Sequence, residues 1–392
     1  MTSGLGGSLR RHRSQLGLVA LGLAAAPMLA EFRVGRSSRH PNQDWRLRPI
    51  QPRGRTELGI SFRPLQAEAL GLDPEVTLRA LLAYPFHLVR LAAYWSRVET
   101  APGRFDASEL DRQMELAEGA GKRIILSVGA IKNFGYPEFF VPPHHLREPL
   151  AEHTLVSEAS HPALSEAAVE QVRRVVERYR GRRSIIAWQV EHEAVDPLGV
   201  EHSWRLSRGV VAREVAAVRA LDTYRPVLMN GFLSTTTPVG WMQRWRTRGQ
   251  GDSLQLAQGL ADIVGIDYYS RNAVLAWGSR SLYLTQRQAL EQNRRWRKLA
   301  GWAARPRHRL IVSEGQAEPW EAETVPPDRP GMVAFSCPPE RLIDNYNSCL
   351  RPAASGVHLE AYLFWGAEYW VQRQAGGDGS YLAAFARVLD ES

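Results

Sequence analysis

The feature that most constrains the fold is an eightfold alternation of strand-like and helix-like segments after residue 57. Short runs of β-branched and aromatic residues recur eight times, and most are separated by stretches with helical spacing of apolar residues. The expected strands are 58–62, 87–92, 123–128, 185–190, 226–230, 262–267, 309–313 and 360–365. Strands that are apolar almost throughout are typical of parallel sheets covered by helices on both faces. The pattern predicts an α/β fold, a single (β/α)8 TIM-barrel domain over 57–392, with an open doubly wound sheet as the alternative.

Helical spacing is clear in seven stretches, but less so between residues 230 and 262. The expected helices are 74–82, 107–120, 165–180, 204–221, 285–303, 339–350 and 381–389.

The amino-terminal arm differs from the rest of the chain in its charge. Ten Arg and two acidic residues within 1–55 account for the whole formal net charge of +8, which leaves 39 basic and 39 acidic residues elsewhere. Because the chain after residue 55 has no net charge, the excess of basic residues does not indicate a nucleic-acid partner.

The same arm has the pattern of a targeting segment. Three Arg between positions 10 and 13 precede a run of about 15 mostly apolar residues, 16–30, which is the shape of a secretory signal. The run is shorter than the ~20 residues of a comfortable membrane span. Met28 makes a poor cleavage site, so an uncleaved anchor and an unprocessed terminus stay open as alternatives. We expect a signal peptide or membrane anchor over 1–30, a weakly packed Arg- and Pro-rich linker over 31–56, and an exported or membrane-tethered barrel.

Motifs for a disulfide, a metal or a cofactor are lacking in the sequence. Cys337 and Cys349 would be roughly 15 Å apart on a mostly helical segment, so both are expected to be free thiols. His144 and His145 have no partner at metal-ligand spacing, and the glycines of 376–379 read as a turn rather than a phosphate loop. We therefore expect no metal and no cofactor.

Acidic and aromatic residues end several of the expected strands, and in a barrel these ends share one rim. Glu193 and Glu314, 121 residues apart, end the fourth and seventh strands, and Trp188, Tyr269 and Trp365 lie at comparable positions. Cleavage of a glycosidic bond needs a proton donor for the leaving oxygen and a second carboxylate at the sugar carbon. Aromatic faces pack on the apolar faces of sugar rings. The rim therefore suits a carbohydrate substrate.

Four motifs, in order, carry a resemblance to a known family. They are 94–99 (Tyr-Trp-Ser-Arg-Val-Glu) with 102–106 (Pro-Gly-Arg-Phe-Asp), 188–193 (Trp-Gln-Val-Glu-His-Glu), 313–320 (Ser-Glu-Gly-Gln-Ala-Glu-Pro-Trp) and 364–370 (Phe-Trp-Gly-Ala-Glu-Tyr-Trp). Together they resemble the second, fourth, seventh and eighth strands of clan A glycoside hydrolases, and are similar to the cellulase-like and β-galactosidase-like barrels of that clan.

The resemblance implies a role for each matching residue. Glu193 would be the general acid/base and Glu314 the nucleophile, with Arg90 holding Glu314 ionised because a nearby cation lowers the pKa of a carboxyl group. Tyr269 would donate a hydrogen bond to the nucleophile, since strand alternation favours it over its neighbour at 268. Trp365 would be the platform under the sugar.

One position departs from the family pattern. The family usually has Asn before the acid/base, where its side chain binds the sugar 2-hydroxyl, but this chain has His192. Imidazole can donate one hydrogen bond there, and its charge depends on pH. Trp95 is a further candidate for ligand contact, and Glu191 and Glu318 are expected in ion pairs at the rim.

These observations favour a retaining glycoside hydrolase that cleaves β-glycosidic bonds through two carboxylates. The carboxyl groups of Glu193 and Glu314 are then expected to be about 5 Å apart, against roughly 6.5–9.5 Å for inversion, and the pKa of Glu193 to be raised. A carbohydrate-binding barrel that has lost catalysis, suggested by His192, and a transglycosylase with the same two Glu are the alternatives.

Overall fold

A closed ring of eight parallel strands forms the centre of the protein. The computed structural model describes residues 29–36, 43–196, 204–277, 280–320, 335–354 and 357–392. We number the barrel strands in chain order: β1 Glu57–Ser61, β2 Leu88–Ala92, β3 Arg123–Ser127, β4 Ile185–Gln189, β5 Val227–Phe232, β6 Ile263–Tyr268, β7 Arg309–Gln316 and β8 Ala361–Trp365. Because β8 pairs with β1 in parallel register, the predicted TIM barrel is confirmed and the open sheet is excluded.

Strand alternation divides the apolar residues between two layers. A small cluster fills the barrel interior with one or two side chains from most strands, whereas a larger cluster lies between the strands and the surrounding helices. Along β2, Leu88 belongs to the interior cluster and Val89 to the outer one. Arg90 follows Leu88 by two residues, so it also points inside, one step nearer the carboxyl end.

Helices cover the outside of the ring. They are Pro64–Ala69, Pro74–Leu82, Trp95–Val98, Ser108–Gly119, Pro162–Tyr179, Arg208–Leu221, Thr237–Arg246, Ser253–Leu260, Arg294–Ala303, Pro339–Ala354, Ala367–Ala375 and Ser380–Glu391, with short 3-10 turns at Asp44–Arg46, Pro143–His145 and Leu290–Gln292. Capping residues in the sequence explain where some of these helices begin. Asp73, for example, accepts a hydrogen bond from the Val76 amide at 2.8 Å and precedes a proline at the first helical position.

The prediction of a helix over 285–303 is correct only for its second half. The helix begins only at Arg294, because the preceding residues form an antiparallel hairpin of Arg271–Trp277 and Arg280–Thr285. Asn293 caps the helix by accepting hydrogen bonds from the amides of Arg295 and Trp296. The uncertain link between 230 and 262 contains two helices, Thr237–Arg246 and Ser253–Leu260.

The expectation that the arm packs weakly is wrong for its described part. Phe32–Arg36 forms a strand that pairs with Arg280–Thr285 and completes a three-stranded sheet beside the barrel. Trp45 is only 7% exposed and belongs to the main core cluster. Arg387, on the last helix, donates to the backbone oxygens of Trp45 and Arg48.

Two smaller points concern the thiols and the membrane. Cys337 and Cys349 are free thiols, as predicted, and both are buried.

The expected signal lies mostly within 1–28, outside the described residues. Among the described residues, no helix has the length and apolar character to cross a bilayer.

The burial of Trp45 predicts that the arm contributes to stability. We expect Trp45→Ala to lower the free energy of unfolding by roughly 3–5 kcal/mol, since it removes a large buried side chain. Leu47→Ala, two residues away and 87% exposed, should change it by less than about 0.5 kcal/mol. Denaturant unfolding of the two variants measures this difference, and equal midpoints would mean that the arm is an independent linker.

Candidate active site

A cavity of about 650 Å³ opens at the carboxyl end of the barrel. Five of the seven predicted site residues line it: Glu193, Glu314, His192, Tyr269 and Trp365. The structure therefore gathers residues from β4, β6, β7 and β8 that are far apart in sequence. This arrangement follows from the parallel barrel, in which all carboxyl ends of the strands meet at one mouth.

Arg90 lies against this cavity through its contact with Glu314. Its Nη2 atom donates to Glu314 Oε1 at 2.6 Å, and the hydroxyl of Tyr269 donates to Glu314 Oε2 at 2.9 Å. The contact predicted between Arg90 and Glu314 is present. Burial raises the pKa of the Glu314 carboxyl, and the hydrogen bonds and charge supplied by Arg90 and Tyr269 oppose that rise.

Glu193 is presented by a strained turn after β4. Glu191 and Glu193 both have left-handed backbone angles, with φ of 53° and 43°. The Glu191 carboxylate accepts the amides of Ile131 and Lys132 at 2.9 and 2.6 Å, and the Lys132 ammonium donates to the Glu193 backbone oxygen at 2.6 Å. A β-carbon at Gly129 would lie 2.2 Å from the Glu191 amide, so only glycine fits there. Glu191 thus supports the turn and is not in the expected rim ion pair.

The surroundings of Glu193 favour its protonated form. Burial raises the pKa of its carboxyl well above the ordinary value, and the neighbouring carboxyl groups of Asp267, Asp196, Glu138 and Glu314 add to the rise. The pKa of Glu193 is therefore raised, which is the direction that the sequence analysis expects. Asp267 and Asp196 contribute more than Glu314, which sequence reasoning had named.

His192 is held in one tautomer by its neighbours. Asn230 accepts at its Oδ1 from Gln189 Nε2 at 3.1 Å, so its Nδ2 is the donor to Asp267 at 2.7 Å and to His192 Nδ1 at 2.8 Å. Nδ1 of His192 is therefore an acceptor, which places the ring proton on Nε2. Burial lowers the pKa of His192 well below 6.5, with Arg90 contributing, so the ring is neutral.

Trp365 has a cation beneath it. The Arg63 guanidinium lies 4.2 Å from the centroid of a Trp365 ring, and both of its terminal nitrogens donate to Glu318, at 2.7 and 2.8 Å. Glu368 accepts from Arg63 as well, at 2.7 Å. Glu318 is thus in an ion pair, as expected, but this pair is buried beneath the indole rather than at the rim. The pair fixes the orientation of Trp365.

The prediction that Trp95 contacts a ligand is wrong. Its side chain is fully buried, and Nε1 donates to Glu99 Oε2 at 2.8 Å. The ring packs against His145, with centroids 4.5 Å apart and ring planes inclined by 36°. Trp95 begins a short helix after β2, so the strand alternation that places Arg90 inside no longer applies to it.

Glu138 is a cavity residue that sequence reasoning missed. It lines the same cavity as the two predicted glutamates. Burial raises its pKa to about 7, and the Glu314 charge contributes to the rise while Lys132 opposes it. The residue lies in the long loop after β3, where no strand end or periodic pattern marks it.

The cavity also has an apolar wall that was not predicted. Phe32 of the amino-terminal strand packs with Phe232, Val239 and Leu284, and all four line the cavity. The sequence offered no signal for this wall, because its residues come from the arm, β5, a helix and the hairpin.

Two groups of described side chains place metal-ligating atoms close together. In the group of His192, Asp267 and Glu314, the donors described above already engage His192 Nδ1, both Glu314 oxygens and Asp267 Oδ2, and the Ser313 hydroxyl donates to Asp267 Oδ1 at 2.7 Å. In the other, His144 and His145 lie 3.3 and 3.2 Å from Glu99, a neighbour that no metal-ligand spacing in the sequence marks. Glu99 also accepts from the Trp95 indole and the Gly103 amide, which is the pattern of a hydrogen-bonded structural carboxylate.

The segment 78–203, which runs from the helix before β2 to just beyond Glu193, matches the sequence model of glycoside hydrolase family 42, described as β-galactosidase. The match covers the strands that carry Arg90 and Glu193. No protein among the curated sequences matches the chain.

Solved structures with the same fold are glycosidases. A family 5 (subfamily 18) enzyme from Streptomyces cattleya, in complex with GlcNAc, aligns with a TM-score of 0.54 and 13% identity over 86% of this chain and 81% of its own. A family 10 xylanase from Thermobacillus composti aligns at 0.50 and 15% identity over 86% of this chain and 97% of its own. The chain covers 59% of an exo-β-1,4-mannosidase from Opitutaceae bacterium strain TAV5, at 16% identity, with a TM-score of 0.49 and 86% of this chain aligned. At these identities the structures show the fold alone.

Families 42, 5 and 10 are all members of glycoside hydrolase clan A. The chain is thus similar to clan A glycoside hydrolases, in sequence over 78–203 and in fold over its barrel. The motifs around Glu314 and Trp365 lie outside the segment that the family model matches.

The hydrogen-bond network predicts the protonation state of His192. Because the pKa of His192 is lowered, the ring should stay neutral, with its proton on Nε2, as the pH falls through 6.5. Nitrogen-15 spectra of the histidine rings, with His192→Gln to assign the signal, measure this. A ring that gains charge above pH 6 would contradict the network.

Proposed function

We propose that this protein is a glycoside hydrolase that cleaves β-glycosidic bonds with retention, using Glu193 as the general acid/base and Glu314 as the nucleophile. The observation that carries the proposal is the opposite environment of two carboxyl groups in one cavity. Glu314 accepts hydrogen bonds from a guanidinium and a phenol, which oppose the rise that burial causes in its pKa, whereas burial and the surrounding carboxyl groups both raise the pKa of Glu193. One group is held ready to attack and the other to donate a proton, which is the division of labour that this chemistry needs.

In the first step, the Glu193 carboxyl gives its proton to the glycosidic oxygen as the bond from that oxygen to the anomeric carbon breaks. The Glu314 carboxylate attacks the anomeric carbon from the opposite face and forms a glycosyl ester, while the aglycone leaves as an alcohol. Glu193 is then a carboxylate.

In the second step, the Glu193 carboxylate takes a proton from a water molecule as its oxygen attacks the anomeric carbon. The ester bond to Glu314 breaks, and the sugar leaves with its original anomeric configuration. Glu193 regains its proton and Glu314 its charge, so both groups end as they began.

The neighbouring residues support these steps by position and charge. Arg90 and Tyr269 stabilise the charge of Glu314, which returns when the ester breaks. Neutral His192 offers its Nε2 proton to a sugar hydroxyl near the attacked carbon. This replaces the donor that the family's Asn supplies, so the substitution does not remove the donor from the site. Trp365 provides a flat apolar surface for the sugar ring.

A binding barrel without catalysis is less well supported, because sugar binding alone has no need for carboxyl groups in opposite environments. A transglycosylase would use the same first step and differ only in the acceptor that reaches the glycosyl ester.

We also propose that the barrel is exported. The arginines before the apolar run of 16–30 would stay on the cytoplasmic side during insertion and leave the barrel outside.

Substitution of Glu193 should separate its two roles. With a panel of 4-nitrophenyl β-glycosides, we expect Glu193→Ala to lower kcat by about 10²–10⁴-fold on the best substrate, the range for loss of general acid–base catalysis. Azide should restore part of the rate and give a β-glycosyl azide, because a small anion needs no general base. Glu314→Ala should be inactive and should not be rescued to a β-product.

The control is Glu138→Gln, which changes the third carboxyl group of the cavity. It should keep a rate well above that of Glu193→Ala and give no azide product. Rescue of a Glu138 variant in place of Glu193 would transfer the acid/base role to Glu138.

The pH dependence should reveal the opposite protonation states. Activity should rise with pH as Glu314 loses its proton, and fall at higher pH as Glu193, with its raised pKa, loses its own. Tyr269→Phe removes a donor that lowers the pKa of Glu314, so the acid limb should move up by about 1 pH unit. Tyr268→Phe is the matched control, since its hydroxyl donates to Gln286 instead. Equal acid limbs in the two variants would contradict the role of Tyr269.

A further inference from the structure

Exposed apolar side chains surround the mouth of the cavity. Twelve large hydrophobic residues in the described part of the chain are exposed, and eight of them lie on three neighbouring segments: 29–36, the helix Thr237–Arg246 and the hairpin 271–285. Met242 of the helix and Val274 of the hairpin are exposed and also line the cavity. The exposed apolar surface is therefore continuous with the apolar wall of the active site.

The register of the three-stranded sheet shows how this surface extends outward. Phe32 lies opposite Leu284 at the cavity. Two residues further along the same face, the exposed Val34 lies opposite Leu282, which pairs with the exposed Leu275. In the next row, Arg36 lies opposite Arg280, which pairs with the exposed Trp277. One face of the sheet thus runs from the cavity through apolar side chains to an outer row with two Arg and a Trp.

The helix Thr237–Arg246 adds further exposed side chains to this surface. Trp241 and Trp245, four residues apart on one side of the helix, are 70% and 75% exposed. Glu31 accepts a hydrogen bond from the Thr237 amide at 2.8 Å, which ties the amino-terminal segment to the start of this helix.

Basic residues accompany the apolar ones. The segments 29–36, 237–248 and 271–285 contain a single acidic residue, Glu31, and seven Arg: 33, 36, 244, 246, 248, 271 and 280. Residues 56–392 taken together have no net charge, so this concentration of Arg is local. Tryptophan, aliphatic side chains and arginine together are the composition of surfaces that lie in the boundary between lipid headgroups and acyl chains.

We propose that the apolar rim, defined as Val34, Trp241, Met242, Trp245, Leu275 and Trp277, rests on an anionic lipid bilayer, and that the substrate is a glycolipid. The position of the arm favours a bilayer over a second copy of the chain or another protein. The apolar run 16–30 ends directly before the strand Phe32–Arg36, so a membrane that holds this run is within a few residues of the cavity mouth.

The substrate class deepens the proposed function and rests on it. The sugar occupies the polar end of the cavity, at Glu193 and Glu314. The apolar wall that begins at Phe32 and Leu284 receives the apolar aglycone and leads it to the rim. A glycolipid presents its sugar in this orientation when its tail stays in the bilayer.

The membrane contact can be tested on the full chain through tryptophan fluorescence. None of the twelve Trp lies in residues 1–44, so lipids with brominated acyl chains in mixed phosphatidylcholine and phosphatidylglycerol vesicles quench only Trp of the folded part. We expect quenching in the wild type and its loss in the triple variant Trp241→Ser, Trp245→Ser, Trp277→Ser. The control variant Leu47→Ser, Tyr224→Ser changes two exposed residues on other segments and should be quenched like the wild type.

Wild-type protein that is not quenched overturns the proposal, and so does equal quenching of the triple variant and the wild type. A concentration-dependent dimer that the triple variant abolishes, without quenching, would assign the rim to a second copy. A melting temperature of the triple variant equal to that of the wild type shows that it is folded.

The substrate class is tested by two glycosides of the same sugar. On a dodecyl β-glycoside embedded in these vesicles the triple variant should be at least tenfold slower than the wild type, with an unchanged rate on the soluble 4-nitrophenyl β-glycoside. Equal loss on both substrates would overturn the glycolipid assignment. A wild-type enzyme that is quenched by brominated lipid but hydrolyses neither glycoside would instead contradict the proposed function and leave the bilayer contact standing.

Discussion

The site depends on how a few cations are shared among many buried carboxyl groups. A buried charge without a partner costs several kcal/mol, so a carboxyl group at the barrel mouth either pairs with a cation or keeps its proton. Arg90 pairs with Glu314, and Arg63 pairs with Glu318 beneath Trp365. Lys132 donates to backbone oxygens, including that of Glu193. These cations therefore pair with the proposed nucleophile, lie beneath Trp365 or hold the turn. Glu193 keeps its proton because it is buried and its charged neighbours are carboxyl groups.

The backbone around Glu193 is also held by buried charged side chains. Its left-handed conformation is unfavourable for a residue with a side chain, yet the Glu191 carboxylate and the Lys132 ammonium hold it from both sides. The close approach at Gly129 brings the loop after β3 near enough for these contacts. That loop also carries Glu138 into the cavity, so the same segment positions the proposed acid and adds a carboxyl group that raises its pKa.

Local patterns in the sequence predicted what depends on local structure. The eight strands, the rim position of Glu193 and Glu314 and the choice of Tyr269 over Tyr268 follow from strand alternation and parallel order, whereas the contact of Arg90 with Glu314 was implied by the family resemblance. Trp95 was misplaced because alternation ends with its strand. The arm was misread because the strand Phe32–Arg36 finds its partner about 250 residues later, and pairing at that range leaves no trace in a window of sequence.

The most direct test of the central assignment is covalent trapping of the intermediate. The 2-deoxy-2-fluoro analogue of the fastest 4-nitrophenyl β-glycoside, with a dinitrophenolate leaving group, should inactivate the enzyme because the fluorine slows the second step more than an activated first step. Peptide mass spectrometry should then find one glycosyl group on Glu314, and turnover should return as the ester hydrolyses. A glycosyl group on Glu138 or Glu193, or rapid turnover of the wild-type enzyme on the parent glycoside with no label at all, would contradict the account.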